Sequence, residues 1–154
     1  MFNQDDIRIF LQDYPEHNRL LNQAEFDPEM IRKGIENSIS IFNTIPPPIM
    51  TMDPKRPEDF PYKDLLLIGT TSYLLLGMGL ARYRNKMNWS TDGVTIDDQA
   101  MADVYLQMGN SMKQEFKDGV KQNKVAENYA RGWGSTRSDY SSLVYYRNDG
   151  RYRT

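Results

Sequence analysis

Leu65-Leu-Leu-Ile-Gly-Thr-Thr-Ser-Tyr-Leu-Leu-Leu-Gly-Met-Gly-Leu80 is sixteen residues without a charge, bracketed by Lys63, Asp64 and Arg82. Wound as a helix, it places leucine or isoleucine on every side and keeps no face for water. Such a helix belongs in a protein interior or in a membrane. A span needs about 18 or more apolar residues, and this run is interrupted by Gly69, Thr70, Thr71, Ser72, Gly77 and Gly79. The expectation is therefore a central helix, covered on one side by its own chain and on the other by a further surface. Its glycines cost helix propensity but let another backbone approach. Gly69, Tyr73, Gly77 and Gly79 are on these grounds the candidate subunit-interface residues.

The rest of the chain is arranged around this helix. With 154 residues it has length for one domain with a real core. There are no cysteines, which removes disulfides, thiolate metal sites and cysteine nucleophiles together. The start, Met1-Phe2-Asn3-Gln4-Asp5-Asp6, lacks the basic residues and apolar run of a signal peptide, so a soluble protein made in the cytosol is expected. The net charge of −2 gives no global pull toward nucleic acid. It is unevenly spread: residues 1–130 carry fourteen Lys/Arg against nineteen Asp/Glu, and residues 131–154 five arginines against Asp139 and Asp149.

Upstream, Asp5 and Asp6 are candidate caps for a short helix through Tyr14, with Ile7, Phe10 and Leu11 on one face; Pro15 ends it. Asp27-Pro28-Glu29 is a strong helix start. Ile31, Ile35, Ile39 and Phe42 follow as an amphipathic stripe to about Asn43. Thr44 to Pro61 holds six of the eight prolines, which predicts a stiff extended connector. Downstream, the central helix is expected to run toward Lys86. Trp89 to Ile96 then reads as a small hairpin around Asp92-Gly93. Asp97 and Asp98 open a long helix striped by Met101, Tyr105, Met108, Met112, Phe116 and Val120, with Gly109 and Gly119 as candidate bends.

After about Tyr129 the helical period stops. Residues 131–154 have few aliphatics yet include Trp133, Tyr140, Tyr145, Tyr146 and Tyr152 among Arg137, Arg147, Arg151 and other arginines. These are interface-type residues, so the segment is expected to be a docking arm, with Leu143 to Tyr146 able to add a strand to a neighbour's sheet edge. The predicted architecture is mainly α: a small helical bundle over residues 1–130 around a central apolar helix, one short β-hairpin, and an extended C-terminal arm over 131–154. No chemistry-bearing constellation accompanies it. His17 is the only histidine, in a polar loop, and Gly77-Met78-Gly79 lies inside an apolar helix rather than at a phosphate-binding turn. A non-enzymatic protein is expected, with no catalytic, metal or cofactor site.

One resemblance stands out in the order of these pieces. Phe10-Leu11-Gln12-Asp13-Tyr14-Pro15 closes a short helix, Glu25-Phe26-Asp27-Pro28 opens an isoleucine-striped one, and Asn43-Thr44-Ile45-Pro46-Pro47 leads to a small-residue-rich central helix and the Trp89 to Ile96 turn. Over about residues 1–130 this pattern resembles the small helical head-to-tail connector (adaptor, or head-completion) proteins of tailed bacteriophages. The resemblance implies a structural protein of the virion neck, made in the host cytoplasm. It implies a homo-oligomeric ring, typically dodecameric, that joins the portal of the head to a further neck or tail protein. DNA would pass through the bore without sequence-specific binding, no membrane is involved, and the C-terminal extension engages the portal. The aromatic, rather long arm departs from that pattern. Alternative readings are another neck or tail ring component, a group usually β-rich, or a small host-directed regulatory binding protein.

Overall fold

A computed structural model describes residues 3–17, 23–85, 88–91 and 94–133, with the backbone alone described at 88–91, 94–99 and 133. The fold is mainly helical: α1 (Gln4–Leu11), α2 (Pro28–Thr44), α3 (Lys63–Arg84) and α4 (Asp98–Trp133). A single 3₁₀ turn, Pro57–Asp59, lies in the proline-rich connector between α2 and α3. Between α3 and α4 the backbones of β1 (Asn88–Thr91) and β2 (Val94–Asp97) pair antiparallel, Trp89 opposite Ile96. Asp92 and Gly93, the expected turn, are outside the described residues.

α1 starts earlier than the acids suggest. Asn3 is the cap, and Asp6 reaches back to accept its N–H at 2.9 Å, a reciprocal capping box. It also stops before Tyr14, because Gln12 turns left-handed at φ 55° and closes the last carbonyls of the helix. Just beyond, Asp13 is buried and acts as a knot. Its carboxylate accepts from Arg8 (2.9 Å) and from the backbone N–H groups of Glu25 (2.5 Å) and Phe26 (3.1 Å), while Arg8 donates to Phe26 O at 3.0 Å. That knot ties α1 to the entry of α2. Asp27 caps α2 by accepting from Glu29 N–H at 2.8 Å with Pro28 in the first turn, as the sequence predicts. The stripe Ile31, Ile35, Ile39 and Phe42 is buried throughout. Asn43 then holds the connector, donating to Met52 O at 2.8 Å and accepting from Met52 N–H at 2.9 Å.

α3 is the centre. It packs against α2 on one side and runs antiparallel to α4 on another. It begins at Lys63, after Pro61 and Tyr62, and ends at Arg84, short of Lys86. By length and composition it is long enough to cross a membrane, and 44% of its most apolar window is buried within the fold. Its small residues explain how. At Gly69 a Cβ would lie 2.9 Å from the Phe116 ring and 3.1 Å from Ser38 Cβ, so α2 and α4 both close on that one position. At Gly79 a Cβ would lie 2.8 Å from Leu106 Cγ.

α4 differs from expectation in three ways. Its inward face is Ala102, Gly109, Phe116, Val120 and Lys124, so Met101 and Met108 of the predicted stripe stay exposed. Gly109 and Gly119 are seats rather than bends: a Cβ there would lie 2.8 Å from Leu76 Cγ and 2.6 Å from Leu65 Cδ2. The helix also runs on through Arg131, Gly132 and Trp133, past the expected boundary near Tyr129. Glu127 and Arg131, at i,i+4 spacing, continue the helical period there.

Two buried hydroxyls, Thr70 Oγ1 and Thr71 Oγ1, have no hydrogen-bond partner. Burying an unpaired hydroxyl costs about 1–3 kcal/mol. Thr71→Val is therefore expected to raise the urea midpoint by the equivalent of about 1 kcal/mol. A lower midpoint would mean that the hydroxyl is bonded in solution.

Candidate interaction surface

The contacts of α3 divide its expected interface residues into two pairs. Gly69 and Gly79 are buried, and the space beside them is filled by the chain's own α2 and α4. That is a correction: the close approach these glycines permit is intramolecular, so no second subunit reaches them. Tyr73 and Gly77 point outward. Tyr73 is 40% exposed, and Gly77 is exposed with nothing within 4 Å of where its Cβ would be. Leu80, at 61%, extends the same face. The first turns of α2 wall this face with Met30 and Lys33. The result is a mostly apolar groove of about 390 Å³, floored by Tyr73, Leu76, Gly77 and Leu80.

A second apolar surface lies on α4. Met101, Val104 and Met108, at spacings of three and four, are 48%, 47% and 51% exposed. They border Tyr105, which is half-buried under the Arg82 guanidinium (5.1 Å to the ring centroid). Arg82 also bridges to Glu25 at 2.9 Å. Burial first, and the Glu25 carboxylate second, push the Tyr105 hydroxyl above its ordinary pKa, against the opposing pull of Arg82. The phenol is therefore neutral at physiological pH, and the tyrosine serves as a packing surface.

Among the described residues no group of three or more His, Cys, Asp or Glu is placed to hold a metal ion. His17 is exposed, edge-on to the Tyr14 ring at 5.8 Å.

The chain matches no family model, no curated protein and no solved structure. Its functional reading therefore rests on its own residues.

Of the expected docking arm, Arg137, Tyr140, Tyr145, Tyr146, Arg147, Arg151 and Tyr152 lie outside the described residues, as does the side chain of Trp133. The backbone of Trp133 is the last described turn of α4, so the segment beyond starts at the end of a 36-residue helix.

Lys124 has no counterpart in the sequence reading. It is fully buried, and its ammonium donates to Phe42 O at 2.6 Å and Ile45 O at 2.8 Å, over the Phe42 ring at 4.3 Å. These carbonyls end α2, where the helix dipole is negative and a cation is favoured. Lys124 thus fastens α4 to the C-terminus of α2. Its place four residues past Val120, in line with Phe116 and Val120, is a sequence signal that points inward, but a lysine is by default read as a surface residue.

Proposed function

We propose that this chain is a structural subunit that assembles head-to-tail with copies of itself into a ring, as a connector between the portal of a phage head and the tail. The observation that supports it most is the outward apolar face of the central helix, Tyr73, Gly77 and Leu80, left uncovered while α2 and α4 close on Gly69 and α4 on Gly79. A helix this apolar is costly to leave facing water, at roughly 25 cal/mol per Å² of apolar surface. The short hairpin at 88–97 and the arm at 134–154 are, in this reading, the appendages that contact neighbouring proteins of the particle. The acidic balance of residues 1–130 suits a bore that lets phosphates pass without gripping them.

The test is the mass of the purified full-length chain, alone and with the portal, compared with Gly77→Leu. Nothing lies within 4 Å of a Cβ added at that position, so the substitution starts into open space. Weakened assembly at a thermal stability no lower than that of the wild type is expected. Unchanged assembly would place the contact elsewhere, and a chain that stays monomeric in both settings would remove the ring reading.

For the arm, a chain ending at Trp133 is expected to fold normally but attach to the portal about thirtyfold more weakly per lost aromatic anchor. Attachment at full strength would take the docking role from the arm. Attachment that instead fades steeply with salt would mark phosphate binding.

A further inference from the structure

We infer that the α2–α3 groove of one copy receives the Met101, Val104 and Met108 ridge of α4 from the next copy. This deepens the ring reading and rests on it. A ring requires a heterologous contact, in which one patch meets a different patch of the neighbour. The fold offers two such patches on different elements: a concave apolar groove and a convex helical ridge. The ridge residues sit at i, i+3 and i+7, the spacing by which a helix anchors in an apolar groove. Two of the three are methionines, whose flexible side chains adapt to an irregular floor.

Charge selects this occupant over the chain's own C-terminal arm. At the groove, Glu29 is taken up by Arg32, while Lys33 and Arg84 have no ion pair among the described residues. That leaves the rim cationic, which repels an arm that carries four arginines and two aspartates over 134–154. The ridge instead carries Glu115 on the same face, seven residues past Met108, exposed and without an ion pair among the described residues. Arg84 is likewise seven residues past Gly77. Seven residues of helix span about 10.5 Å. With the neighbour's α4 parallel to α3 and Met108 seated over Gly77, Glu115 arrives at Arg84.

The absence of cysteine makes the test direct. Full-length Gly77→Cys and Met108→Cys variants, both at exposed positions, are mixed under mild oxidation and run without reductant. A disulfide-linked dimer is expected from the mixture and neither variant alone. In unoxidised chains, Arg84→Glu and Glu115→Arg are each expected to weaken assembly about tenfold, and the pair together to restore it. Dimer from Gly77→Cys alone would show a two-fold contact and overturn the inference. Cross-linking of Gly77→Cys to Leu143→Cys in place of Met108→Cys would assign the groove to the arm and overturn it as well. Rings of normal mass without the mixed dimer would overturn the inference and leave the ring standing. A wild-type chain that is monomeric alone and with the portal would end both.

Discussion

Gly69→Val is expected to destabilise the protein by about 3 kcal/mol, the largest loss at any glycine of α3. The position is closed from two sides, by the Phe116 ring at 2.9 Å and by Ser38 Cβ at 3.1 Å from where a Cβ would lie. Overpacking of this kind costs about 1–3 kcal/mol, occasionally more. A gain in helix propensity of under about 1 kcal/mol does not offset it. Since Ser38 belongs to α2 and Phe116 to α4, relief at one neighbour tightens the other. Gly77→Ala is the control on the same helix, with the propensity gain and no clash. Urea unfolding of both variants checks the contrast. An unchanged midpoint for Gly69→Val would mean that α2, α3 and α4 do not meet at this residue.

Lys124→Ala is expected to cost about 4 kcal/mol, and Lys124→Met about 2 kcal/mol. The alanine loses a buried aliphatic stem, worth about 2–5 kcal/mol in comparable truncations. Both variants also strip a donor from the end of α2. Phe42 O keeps the Ile45 N–H at 3.3 Å, so Ile45 O is the carbonyl that loses most. An unmet polar group costs about 1–3 kcal/mol, which is the part methionine does not recover. Equal losses for the two variants would show that only volume matters.

The same residue gives a signed pH effect. Burial holds the Lys124 pKa below its ordinary 10.5. Between the lowered folded value and 10.5 the unfolded chain binds more protons, so this residue's contribution grows as pH rises through that window. The stability of wild type relative to Lys124→Met should therefore be greater above pH 10.5 than at pH 7. A difference that shrinks over that range would contradict the burial of the ammonium.

Apolar periodicity reads α2 well. Asp27-Pro28-Glu29 marks its start and the isoleucine stripe its buried face, because one side of α2 meets the core and the other meets water. The same rule fails on α4. There the contacts are made through Gly109 and Gly119, which let Leu76 and Leu65 of α3 pack in close, and through Ala102 and Leu106, which close on Gly79 of α3. Small residues carry no apolar weight, so a pattern of large side chains points to Met101 and Met108 instead. For α3 the sequence tells that the helix is central but not which glycine meets which neighbour. All-round apolarity has no phase, and only the packing separates Gly69 and Gly79 from Gly77. Lys124 was illegible for a different reason: its burial depends on carbonyls 79 and 82 positions away in the chain.

Negative-stain imaging of the purified protein, alone and mixed with a portal ring, bears most directly on the central claim that α3 presents a self-assembly face. Closed rings, or portal rings capped by an added layer, are the predicted images, and Gly77→Leu should lose them while keeping a thermal transition no lower than that of the wild type. Uniform single particles of about 18.0 kDa that leave the portal undecorated would contradict the account.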